Sequence, residues 1–346
     1  MSDREPSTLD VPRREGPEQR KNPLIVIGVM LIAALGGAFA IRMIAPAQPS
    51  QTQPARPIVQ IVREQSGLPD LSDLIERLCP SVAKIGQPGA GSDGDGAAVS
   101  AFGVSTQGWL LTSAPIKGAE ATFGDGQTAQ LSDVRTDPVS GLSIVRAAGA
   151  TFQPLPFADQ LFPRVGQFGV ALSTPAGSGC SASPGMIGSD FLADGRGLVG
   201  YIRVQATPSG WPSGAPFVGG DGRVIAISVN SDGTMIPGPL ASAIVDELIR
   251  NSLSPSASFG FRVIEFTPPI STRLGSTRSG AGVALVQAKS AAAHSGVEAG
   301  DIVIAVNDEP VSSASEVNRA VDAITGSGTM NVLRGDRQLT IAITRS

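Results

Sequence analysis

Residues able to carry acid–base or nucleophilic chemistry are scarce in this chain. It has one histidine, His294, and two cysteines, Cys79 and Cys180. With no C-x-x-C pair and a single histidine, a zinc site would lack closely spaced ligands, so no metal or cofactor is expected. His294 sits in AAAHSG, which reads as a surface loop before a Gly-Asp turn. A solvated imidazole is the default there, ahead of a catalytic or pH-sensing one. A lysine can act as a base when burial lowers its pKa, and Lys84 and Lys117 lie in the strand-rich middle of the chain. Phe259-Gly260-Phe261 needs no titratable group: its glycine lets backbone come close to a ligand, although glycine between two apolar residues is common.

The elements that must hold these residues follow from composition and pattern. Glycine (42) and proline (27) are frequent in the 346 residues, which fits many short strands joined by turns. Charged residues make up 16%, the net charge is −4, and no basic run is present, which sets nucleic acid aside. Residues 23–41 form an uncharged apolar run long enough to cross a bilayer as a helix. Arg4, Arg13, Arg14, Arg20 and Lys21 precede it and only Arg42 follows closely. The positive-inside rule then leaves residues 1–22 cytoplasmic and exports the rest, with the run as a single-pass inner-membrane anchor. The rival is a cleaved signal peptide, since Ala38-Phe39-Ala40 has the small-x-small form of a cleavage site. Residues 42–69 are rich in Pro and Gln and read as a flexible spacer.

PDLSDLIERLCP has helical spacing and stops at Pro80. From Ser81 to about Val229 short strands recur at intervals near ten residues: SVAKIGQ, GAAVSAFGVS, GWLLTS, ATFGDGQ (a strand running into a turn), AQLSDVRT, LSIVRAA, QFGVALS, GLVGYIRVQA and RVIAISVN. This is the pattern of an all-β barrel or sandwich. GPLASAIVDELIR, residues 238–250, reads as a connecting helix and SLSPSAS as a linker. The last 90 or so residues carry strands at SFGFRVIEF, GVALVQA, DIVIAVN, TMNVLR and QLTIAIT. They also carry one clear helix, SASEVNRAVDAI, opened by the capping box Ser313-x-x-Glu316. This is a small α+β domain.

AAAHSGVEAGDIVIAVNDEPVSSASEV resembles the signature run of the PDZ domain in the HtrA/Deg protease family, with Gly296, Ala299, Gly300, Asp301, Ile302 and Asn307 in register. Upstream, PSVAKI, GWLLTSAPIKGA, TDPVSGLSIVRA, VGQFGVALSTPAGSG, SPGMIGS and WPSGAPFVGGDGRVIAIS resemble, in order, the landmarks of that family's trypsin-like domain. The resemblance implies a mostly β chain: a trypsin-like double β-barrel over residues 70–250, then an α+β PDZ domain over 251–346. Anchor, barrel and single PDZ domain together are similar to the DegS type.

The resemblance also locates the catalytic positions. The histidine position holds Pro115, the acid position Gly141, and only the nucleophile position keeps its residue, Ser213. Proline cannot accept a proton and glycine has no side chain to orient a base. The oxyanion glycine is replaced by Trp211, followed by Pro212; a bulky residue should adopt a glycine's conformation only with strain. The expected function is that of a periplasmic pseudoprotease in envelope protein quality control. The alternative is a residual serine endopeptidase using Ser213 and a non-histidine base. The PDZ resemblance makes Phe259, Gly260 and Phe261 a carboxylate-binding loop, and Arg262 and Val263 the start of the strand that pairs with a peptide. Expected partners are C-terminal or unfolded polypeptide segments and, as the family implies, further copies in a homotrimer or mixed oligomer. In an exported protein Cys79 and Cys180 can either pair or remain thiols.

Overall fold

The computed structural model describes residues 70–86, 99–161, 163–174, 179–189, 200–206 and 211–345. The anchor, signal-peptide and spacer readings of residues 1–69 fall outside these. Among the described residues no helix is long and apolar enough to cross a membrane.

Helix α1 (Ser72–Leu78) and a 3₁₀ turn (Cys79–Ser81) lead into two six-stranded closed barrels. The first comprises β1 (Val82–Gly86), β2 (Val99–Gly103), β3 (Trp109–Thr112), β4 (Glu120–Phe123), β5 (Thr128–Thr136) and β6 (Ser143–Ala148), closed in the order β1-β2-β3-β6-β5-β4. The second comprises β7 (Phe168–Ser173), β8 (Ser181–Ser189), β9 (Ile202–Ala206), β10 (Pro216–Val218), β11 (Val224–Ser228) and β12 (Thr234–Pro237), in the order β10-β11-β12-β9-β8-β7. Helix α2 (Gly238–Arg250) follows.

The double barrel agrees with the architecture implied by the sequence resemblance. The strand list needs additions at β8, β10 and β12. In β8, Pro184 and Gly185 are residue types that a strand interior disfavours. Tertiary packing overrides them, because β8 pairs with both β7 and β9 and Gly185 makes room for the Trp211 ring.

Each barrel has its own apolar filling. Ile85, Leu110, Phe123 and Val145 fill the first; Ile187, Val204, Phe217 and Ile225 fill the second. A third cluster lies outside both interiors. Trp109, Leu111, Ile144, Leu172 and Ile227 meet one face of α2, through Leu240, Ile244, Val245 and Leu248. Because adjacent residues on a strand face opposite sides, Leu110 enters the first barrel while Trp109 and Leu111 join the shared cluster. The last turn of α2 is capped by Arg135 of β5. Its guanidinium donates to the Leu248 and Ile249 carbonyls, both at 2.9 Å, and lies 4.7 Å from the centre of the Trp109 ring.

The C-terminal unit begins with α3 (Pro255–Ser258), read from sequence as linker. A sheet of β13 (Phe261–Phe266), β14 (Gly280–Val286), β15 (Ile302–Val306), β17 (Ser327–Arg334) and β18 (Arg337–Thr344) follows, with β16 (Glu309–Pro310) paired to β15. Helices α4 (Pro268–Arg273), α5 (Ala291–Ser295) and α6 (Ala314–Asp322) complete it. The capping box forms as the sequence proposes: Ser313 Oγ accepts from the Glu316 N–H, and the Glu316 carboxylate from the Ser313 N–H. His294 is exposed, but it lies in the last turn of α5 rather than in a loop. One face of β13 and β14 fills this unit's own core through Phe261, Val283 and Ala281. From the other face Ala284 and Leu285 join the barrels' shared cluster, with Ile264 packed against it.

Candidate functional site

Pro115 is exposed, just beyond β3. Gly141 is exposed in the turn between β5 and β6, with φ +75°, a conformation that an Asp side chain would adopt only with strain. Ser213 lies in the turn before β10. Its hydroxyl donates to the Val229 carbonyl at 2.9 Å, and its own carbonyl accepts the Ser100 N–H at 2.9 Å. Among the described residues no charged side chain is hydrogen-bonded to Ser213. Lys117 is exposed and Lys84 is half-buried on β1. The next residue, Gly214, has φ +83°, and a Cβ there would run into the Ser100 carbonyl. The nucleophile turn is therefore kept in the backbone while its hydroxyl is tied to a backbone acceptor.

Trp211 corrects an expectation. It is not among the non-glycine residues with positive φ, so the anticipated left-handed strain is absent. Its ring is 3% exposed and lies inside the second barrel, 5.7 Å from the Phe217 ring and against Gly185 and Val204. The loop before Ser213 is anchored by an indole in the core, at the point where the family uses an open glycine to present an N–H.

The loop Phe259-Gly260-Phe261 lies between α3 and β13. Both phenyl rings are buried with Val317 and Val321 of α6. Gly260 has φ +89°, and a Cβ there would overlap Ser290. The Gly260 carbonyl accepts from the Gln287 N–H (2.8 Å) and the Phe259 carbonyl from the Ala292 N–H (2.9 Å), which ties the loop to β14 and α5. Strand β13 ends the sheet, with β14 as its neighbour and α6 packed alongside; Val263 is half-buried between them. Arg345, not singled out from the sequence, lies at the far end of α6. It donates to the Ile324 carbonyl and places its guanidinium 5.6 Å from the centre of the Phe259 ring.

Arg262 is a second correction. Its side chain does not face the edge where a peptide would lie. It is 4% exposed and turned toward the first barrel, 2.6 Å from the Asp137 carboxylate and paired with Glu247 of α2, with Ser254 Oγ at 3.0 Å. The physical reason is charge: the cation settles where two carboxylates converge. Burial works against its charge, but Asp137 and Glu247 outweigh it and hold its pKa above that of an ordinary arginine. Asp137 also accepts the N–H and hydroxyl of Ser140, within the turn that carries Gly141. Burial, with Asp137 nearby, pushes up the pKa of the Tyr201 phenol just before β9. Asp137 and Glu247 were not proposed from sequence. They lie 125 and 15 positions from Arg262, and no local pattern marks either as its partner.

Cys79 and Cys180 are joined as a disulfide, Cα atoms 5.7 Å apart, linking the entry turn to the start of β8. No group of residues suited to a metal ion occurs among the described residues.

Comparison with known proteins matches residues 94–227 to the trypsin-like peptidase domain and residues 282–332 to the PDZ domain. The chain belongs to the HtrA/Deg family. It carries one PDZ domain after the trypsin-like double barrel. It is similar to a probable periplasmic serine endoprotease, DegP-like, of Brucella suis biovar 1 (28% identity over 259 residues, 69% of this chain and 50% of the relative). It is also similar to the periplasmic pH-dependent serine endoprotease DegQ of Escherichia coli (23% over 327 residues, 82% and 71%). The chain spans about half the length of the first of these HtrA/Deg relatives. Among solved structures it is similar to the HtrA-type protease AlgW with decapeptide (TM-score 0.47, 20% identity, 80% of this chain and 98% of that one). A serine endoprotease from Yersinia pestis is similar to it too (TM-score 0.48, 20% identity, 80% and 98%).

Proposed function

We propose that this HtrA/Deg chain is a pseudoprotease that captures polypeptide C-termini or unfolded segments through its PDZ domain, as scaffold or sensor in envelope protein quality control. The observation that carries the reading is the contrast at its two loops. The nucleophile loop has no base: Ser213 bonds a carbonyl, and Pro115 and Gly141 stand where proton transfer needs His and Asp. The PDZ loop keeps its glycine turn, two buried phenyl rings, an edge strand for β-augmentation, and a guanidinium at one end of the groove.

Residues 23–41 would anchor the chain as a single inner-membrane span, with residues 42–69 as spacer and both folded domains in the periplasm. The relatives named periplasmic support that compartment, and an oxidising periplasm would maintain the Cys79–Cys180 bond. Assembly as a homotrimer or with a catalytically competent relative belongs to the same proposal.

Fluorophosphonate labelling of the purified chain beside Ser213→Ala tests the loss of catalysis. Losing a triad base costs about 10⁴–10⁶ in kcat, so no labelling is expected. Labelling that disappears in Ser213→Ala would overturn the pseudoprotease reading in favour of a residual endopeptidase with a non-histidine base.

A further inference from the structure

Resting on the peptide-capture reading above, we propose that α3 is a built-in occupant of the carboxylate end of the PDZ groove, which an incoming C-terminus must displace. The donors of the loop are already in use. The Phe259 N–H donates to the Ser256 carbonyl (3.1 Å) and the Gly260 N–H to the Ala257 carbonyl (3.0 Å). A terminal carboxylate held by this loop would need those same N–H groups.

Helix α3 is held more firmly than a linker needs to be. Ser256 and Ala257 are both buried, although they join two domains. The Ser256 N–H donates to Asn318 Oδ1 on α6 (3.1 Å), and Asn318 is itself steadied by donating to the Ala314 carbonyl (3.1 Å). The preceding residue, Ser254, gives its N–H to Glu247 and accepts from Arg262, so the ion-pair cluster at the barrel fixes the helix start. Ala257 packs into the apolar cluster shared with the barrels. Helix α3 thus rests on both α6 and β13, the two elements between which a strand-adding peptide would lie. Toward the opposite end of β13, Glu265 Oε1 accepts the Ala314 N–H (2.6 Å) and ties the strand to the start of α6.

Displacement exchanges like for like: the ligand's carboxylate oxygens replace the Ser256 and Ala257 carbonyls as acceptors. A charged acceptor makes the stronger hydrogen bond, which favours the exchange. The cost is the order lost in α3 and its buried contacts. Affinity in the free protein is therefore reduced by the fraction of time that α3 is seated.

Two measurements test this. Amide hydrogen exchange on the full chain should show the Phe259 and Gly260 N–H groups at least about tenfold slower than an unstructured peptide; exchange at the unstructured rate overturns the proposal. Binding of a fluorescent octapeptide with a free C-terminal Val is then compared between the full chain and Pro255→Gly/Ala257→Gly, which loosens α3 through backbone entropy. The variant should bind about tenfold more tightly. Equal or weaker binding by the variant, with binding by the unaltered chain, overturns the occlusion and leaves peptide capture standing. No binding by either protein, both folded, overturns both. Should the double variant fail to fold, the exchange rates of the unaltered chain decide alone.

Discussion

The nucleophile loop and the PDZ loop use the same backbone device and have met different fates. Gly214 and Gly260 both hold positive φ, and in each a Cβ would collide with a neighbour, the Ser100 carbonyl or Ser290. Around Gly214 the left-handed turn is present, the residues at 115 and 141 carry no titratable side chain, and Trp211 lies in the core. Around Gly260 the glycine turn, the edge strand and the apolar walls are present, and two of the loop's N–H groups are hydrogen-bonded to carbonyls of α3. Catalysis rests on specific titratable side chains and is lost with one substitution. Recognition by backbone tolerates every change that leaves the turn intact.

The largest effect should come from breaking what both regions stand on. Cys79→Ser opens a covalent link between residues 101 positions apart, and the chain-entropy account puts the loss at up to about 4–5 kcal/mol. Urea unfolding under oxidising conditions, against the unaltered chain, measures it; a loss under about 1 kcal/mol would mean the link adds little.

Arg262→Ala strikes the junction itself, leaving Asp137 and Glu247 without their cation. The expected cost is about 3–5 kcal/mol, read by the same unfolding curves, while Arg262→Lys should recover only part because the fork geometry is lost. An Arg262→Ala protein as stable as the original would show the carboxylates to be well solvated.

Gly260→Ala should separate the two loops. A methyl group at φ +89° against Ser290 strains the loop by about 1–3 kcal/mol, which predicts roughly tenfold or greater loss of peptide binding with the barrels intact. In the opposite direction, Pro115→His with Gly141→Asp should not restore fluorophosphonate labelling, since Ser213 stays bonded to Val229 and an Asp at φ +75° is strained. Labelling of that variant would show that only side-chain identity had been lost.

The smallest effect is at the start of α6. Hydrogen bonds from Ser312 and Ser313 hold the Glu316 carboxyl below its ordinary pKa. A depressed carboxyl pKa contributes stability above the unfolded value and loses it as pH falls through the folded one. The Tm difference between the original protein and Glu316→Gln should thus be present at neutral pH and vanish in acid. A difference that persists at low pH would assign it to packing instead.

Much of this was legible in the sequence, for local reasons. Turn residues near every ten positions marked the strands of a barrel or sandwich, and the resemblance of residues 291–317 to the family's signature run marked the PDZ unit. The capping box at Ser313 and Glu316 involves residues three apart, and the proline at 115 and the glycine at 141 are read directly as residue types. The sequence by itself thus determined the order of the trypsin-like and PDZ domains and which residue types stand at 115, 141, 213 and 259–261. Only the tertiary structure decided that Ser213 bonds Val229, that Trp211 enters the second barrel, that Arg262 turns from the groove toward Asp137, and that α3 is a buried helix rather than a linker. Each of those depends on which distant groups share a volume. A side chain takes the lowest-energy partner within reach, and reach across 125 positions is set by how the strands close, not by any local pattern.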